Sequence, residues 1–112
     1  MIFNIFIYYQ MYKNTKESAI TTYVGQHPEI DEYIFAEPAF RYTQVILAAV
    51  CQRFNKKLHI FTAKVEWSDN TQLASKYSST KVYDQYTNLG LAINDAKKYI
   101  LDNPNKNILL CK

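Results

Sequence analysis

Hydrophobic spacing alternates between a period near two and a period of three to four through nine short segments of a 112-residue chain. That alternation constrains the fold more than any other feature. Strands joined through helices form a parallel sheet with right-handed crossovers, and the helices cover its faces. Residues 2–8 are β-branched and aromatic on both faces, as in a central strand. Thr15–Val24 carries a weak helical stripe, with Gly25 as a C-cap and Pro28 as a stop. Asp31–Ala36 reads as a strand ended by Glu37-Pro38. Thr43 caps a largely buried helix running to about Phe54, and Asn55-Lys56 turns the chain into a strand over Leu58–Thr62. A short helix capped by Ser68, Asp69 or Asn70 runs through Tyr77, followed by a brief strand at Lys81–Tyr83. Leu89, Ala92, Ile93, Ala96, Tyr99 and Ile100 mark an amphipathic helix stopped at Asn103-Pro104. Ile108–Leu110 is the last strand. The expected fold is a single small three-layer α/β, Rossmann-like domain over 1–112, with a mostly parallel five-stranded sheet.

Composition narrows the function classes. An apolar fraction of 48% is enough to build a core, which excludes a disordered tail. Two cysteines, Cys51 and Cys111, are too few for a disulfide scaffold or a thiolate zinc site. Cys51 reads as a small buried hydrophobe, Cys111 as an exposed thiol. The apolar start lacks a basic flank and a small-residue cleavage site and is too short for a membrane span. The expectation is therefore no membrane partner and a reducing, cytoplasmic setting. Residues 1–56 carry five basic and five acidic groups, whereas 57–112 carry eight lysines against five acids, which supplies the whole net charge of +3. Those lysines are scattered over several elements and read as a solvated face, so nucleic acid is disfavoured as a partner.

In an open parallel sheet, ligands bind beyond the carboxyl ends of the strands. That rule nominates Tyr9 in the first strand-to-helix loop, Glu37, Arg41, Tyr42 and Thr43 in the second, and Lys64 and Trp67 in the third. The second loop opens the most buried helix, whose free N–H groups suit a phosphate or carboxylate. Arg41 would add a bidentate contact and Thr43 a hydroxyl. Thr43 capping the helix, Arg41 pairing with Glu37 and Phe40 packing inward explain the same residues without a ligand. No glycine-rich dinucleotide or nucleotide loop occurs.

No catalytic residues, metal ligands or cofactor are assigned. His59 sits between apolar neighbours and reads as a satisfied core or edge histidine. Asp31 and Glu32, with opposed directions in a strand, suit a rim. The ten tyrosines divide between core positions (Tyr77, Tyr99, and Tyr33 and Tyr83 in strands) and the proposed ligand edge (Tyr8, Tyr9, Tyr42, Tyr86). Tyrosine suits interfaces, so a protein partner or a second copy competes with a small-molecule ligand.

The run from Pro38 to Thr62, with Asn70–Tyr83, resembles the small domain of the tryptophan-synthase-β-like (fold type II) enzymes that use pyridoxal phosphate. The likeness lies in the order of elements. The family's Schiff-base lysine stands before this region in an Asn-Lys context. Here only Lys13 and Lys16 precede it, and Tyr12-Lys13-Asn14 has the order reversed. The resemblance thus implies a reduced, non-catalytic relative or one half of a complex. Together these features point to a non-catalytic α/β protein that binds a phosphorylated or carboxylated small molecule. The alternative is a protein-interaction or homo-oligomeric accessory module of a virus or mobile element.

Overall fold

A computed structural model of the chain describes residues 16–36, 42–63 and 69–111. In chain order these form α1 (Lys16–Gln26), β1 (Glu32–Ala36), α2 (Thr43–Arg53), β2 (Lys57–Ala63), α3 (Asp69–Ser75), β3 (Thr80–Tyr86), α4 (Leu89–Asp102) and β4 (Ile108–Cys111). The strands make one sheet in the order β3-β2-β1-β4, with every pairing parallel. The strand expected over residues 2–8 lies outside the described residues. The chain therefore shows a small α/β domain of Rossmann-like type with four described strands.

Period-two alternation sorts each strand's side chains between two faces. Tyr33 and Phe35 of β1, Leu58 and Ile60 of β2, and Leu109 and Cys111 of β4 join one core with Ile20, Tyr23 and Val24 of α1, Leu47, Ala48 and Cys51 of α2, and Ala74 of α3. Ile34, Phe61, Ile108 and Leu110 join a second core with Ala92 and Ala96 of α4. Of the described helices, three thus cover one face and one the other. The step from β3 to β4 crosses two strands, and α4 makes that crossing.

The boundaries have local causes. Asn88 caps α4, its side-chain oxygen accepting from the Leu91 N–H at 3.0 Å. Asn55 closes α2 with a φ of 57°, which asparagine tolerates, and the Lys56 N–H returns to the Cys51 carbonyl at 2.7 Å. Three expectations are corrected. Gly25 lies inside α1 and has no positive φ; the helix continues one residue past it and stops at the His27-Pro28 turn. Thr43 stands inside α2's first turn, with Tyr42 at the cap position making no side-chain cap bond. Cys111 is fully buried, because it faces the three-helix core from β4. Burial raises both thiols, Cys51 to about 12, so neither is a thiolate at neutral pH.

A Cβ at Gly25 would meet only the Phe54 ring, at 3.5 Å, an ordinary contact. Gly25→Ala is therefore expected to raise stability by about 0.5–1 kcal/mol through the helix backbone, seen as a higher urea midpoint.

Candidate functional site

The carboxyl edge of the sheet, where ligands were expected, is described in part. Tyr9, Glu37, Arg41, Lys64 and Trp67 lie outside the described residues. Tyr42 is exposed at 58%, whereas Thr43 is buried at 1%, and its hydroxyl has no hydrogen-bond partner. Thr62, near the end of β2, is likewise buried with an unpartnered hydroxyl. Beside Thr43, the buried Gln44 amide oxygen accepts from the Thr71 hydroxyl at 3.0 Å, which ties α2 to α3.

On the α4 face a polar network lies nearer the amino ends of the strands. Glu32 shares that face with Ile34 because the two are separated by one period. Its Oε1 accepts from His59 Nε2 at 2.8 Å and from the Tyr99 hydroxyl at 2.6 Å, and its Oε2 from Lys106 Nζ at 3.0 Å. A carboxylate only accepts, so the network assigns the proton of a neutral His59 to Nε2. Nδ1 then accepts from the Tyr83 hydroxyl at 3.0 Å. Glu32 is therefore buried at the centre of a network rather than at a rim. Asp31 does point the other way, accepting from the Asn107 N–H at 3.0 Å. His59 is a satisfied, buried histidine, as expected from its neighbours.

The electrostatics follow from burial and pairing. Burial lowers His59 below its ordinary 6.5, outweighing the pull of Glu32 toward the charged form. Burial alone would raise Glu32, but the bonds from Tyr99, Lys106 and His59 bring it below its ordinary 4.5. Tyr83 and Tyr99 are both raised, first by burial and then by the neighbouring Glu32. At neutral pH the network thus holds an ionised Glu32, a neutral His59 and two protonated phenols.

His59 also lines a cavity of about 260 Å³ at the amino edge of β2 and β3, together with Lys57, Ser78, Ser79, Thr80 and Lys81. The backbone there is well paired. The Leu58 N–H donates to the Ser79 carbonyl at 2.9 Å, and the Thr80 N–H to the Tyr77 carbonyl at 3.0 Å. The Ser78 N–H donates to the Gln52 side chain at 3.0 Å. By contrast, the Ser79 and Thr80 hydroxyls are buried and have no partner. Both lysines are exposed, and no carboxylate is among the described residues that line the cavity. Two cations without a lining carboxylate make a setting for an anion.

Sequence reasoning missed this cluster because its cations lie in different elements. Lys57 opens β2, Lys81 belongs to β3, and only the pairing of Leu58 with Thr80 and His59 with Lys81 brings them together. The run Ser78-Ser79-Thr80-Lys81 was the available signal. Among the described residues, no three His, Cys, Asp or Glu side chains are grouped to hold a metal. No described helix is long and apolar enough to cross a membrane. No family model and no curated protein sequence matches the chain.

Both depressed pKa values act on stability with one sign. As pH falls, the unfolded chain takes up each proton before the folded one does. The urea midpoint is expected to fall from about pH 6.5 downward through the titration of folded His59, and to fall again below about 4.5 as Glu32 titrates. His59→Gln should remove the upper part of that fall. Glu32→Gln, whose carbonyl oxygen can still accept from His59 and Tyr99 while its amide nitrogen faces the Lys106 ammonium, should cost about 1–2 kcal/mol at pH 7.

Proposed function

We propose that the protein binds a phosphorylated or carboxylated small molecule without transforming it, and that the anion sits in the amino-edge cavity between β2 and β3. The observation that carries this reading is the pair of exposed lysines, Lys57 and Lys81, lining a cavity with Ser78, Ser79 and Thr80 and with no carboxylate among its described lining residues. An anion in that cavity gains charge-assisted bonds from the two ammonium groups. Binding is favoured over catalysis because the one histidine in the site has both ring nitrogens engaged. Tyr83, raised rather than lowered, stays a proton donor.

A second reading places the same kind of ligand at the carboxyl edge, against the start of α2. The unpartnered, buried Thr43 hydroxyl favours it, at a helix start where Tyr42 supplies no side-chain cap.

Calorimetric titration with inorganic phosphate separates the two. Lys57→Ala combined with Lys81→Ala is expected to weaken binding at least tenfold. Thr80→Val is expected to leave it within about twofold while raising the stability of the free protein by up to about 1 kcal/mol, since it deletes a buried, unpaired polar atom that does not reach the cavity. If the lysine pair leaves affinity unchanged and Thr43→Val abolishes it, the amino-edge reading is wrong and the carboxyl-edge one is right.

A further inference from the structure

We propose that the ligand is a phosphate monoester carrying a planar ring, with the phosphate in the amino-edge cavity and the ring in the neighbouring groove between β3 and α4. The inference rests on the phosphate reading above and extends it to the rest of the ligand.

The groove has a volume of about 270 Å³ and four aromatic walls, Phe61, Tyr83, Tyr86 and Tyr99. Its described lining comes from β2 and β3 on one side and from α4, the one described helix on this face, on the other. The walls are held in place. Tyr83 is tied to His59 at 3.0 Å, Tyr99 to Glu32 at 2.6 Å, and Tyr86 to Asp95 at 2.6 Å. Phe61 stacks on Tyr83 with ring centres 4.4 Å apart. Each wall is thus oriented before a ligand arrives, which lowers the ordering cost of binding.

The cavity and the groove adjoin through Tyr83, which lines the groove. His59 lines the cavity and is bonded to the Tyr83 hydroxyl, and Lys81 lines the cavity with its ammonium 5.0 Å from the Tyr83 ring centre. One side chain therefore separates a space with cations from a space with aromatic walls. Charge sets the direction of the ligand. Lys57 and Lys81 line the cavity with no carboxylate among its described lining residues, whereas Asp95 and Asp102 outnumber Lys98 at the groove. An anion is repelled from the groove and accepted by the cavity. A ring bearing N–H or O–H donors is accepted by the groove.

The test compares inorganic phosphate, glycerol phosphate, phenyl phosphate and adenosine monophosphate by calorimetry and by NMR of the full chain. Phenyl phosphate and adenosine monophosphate are expected to bind at least tenfold more tightly than glycerol phosphate. Their ring-current shifts should fall on Tyr83, Tyr86 and Tyr99. Tyr86→Leu should bring the ring-bearing probes to within about twofold of glycerol phosphate. Gln85→Trp, which fills the groove from an exposed position, should do the same if the first variant fails to fold. Equal affinity for the three esters, with shifts confined to residues 57 and 78–81, overturns the ring site and leaves the phosphate reading standing. No response to any of the four probes overturns both.

Discussion

The carboxylate of Glu32 is the group on which the α4 face depends. It is buried at 4% exposure, and a charge so placed is tolerated only when donors surround it. The donors come from three separate parts of the chain: His59 from β2, Tyr99 from α4, and Lys106 from the loop before β4. On this face the fully buried contacts of α4 come from Ala92 and Ala96, small side chains that offer little apolar area of their own. A shift of α4 along the sheet would pull Tyr99 off the carboxylate and leave its charge short of a donor. The network therefore fixes where the helix lies, and with it the width of the groove beside it.

How much of this was legible in the sequence depended on which side chains carried the signal. The eight expected elements within the described residues all appear in their expected order and type, because buried periodicity announces them. β3 was read as three residues and runs from Thr80 to Tyr86. Asp84, Gln85 and Tyr86 look like loop residues, yet a half-exposed strand at the end of the sheet is built from such residues. The opposed directions of Asp31 and Glu32 followed from strand geometry. Which of the two faced inward did not, since that depends on where α4 and Lys106 come to rest, far along the chain. The lysines were hidden for the same reason. Lys57 and Lys81 become neighbours only through a strand register that no local pattern specifies.

Polar groups in this protein sort by whether they are already paired. Glu32, His59, Tyr83, Tyr99 and Tyr86 all have partners, and what they accomplish is orientation. Thr43, Thr62, Ser79 and Thr80 carry buried hydroxyls that are left over. All four sit near the ends of β-strands or at the start of a helix, where the sheet meets its loops. Tyr33 is the exception, its hydroxyl unpartnered within the three-helix core, and burial there raises its phenol strongly.

The two edges differ in how they would hold an anion. At the carboxyl edge the helices begin, and their free N–H groups carry partial positive charge. An anion there needs hydroxyls more than it needs lysines. At the amino edge the helices end, and their last carbonyls carry partial negative charge. A phosphate placed there is opposed by the helix termini and requires full cations to offset them. Lys57 and Lys81 line the amino-edge cavity and supply that charge. On the proposed reading, two lysines of the second half of the chain, far apart along the sequence, meet where β2 and β3 begin. They would offset at that edge the negative helix termini that the backbone sets against an anion.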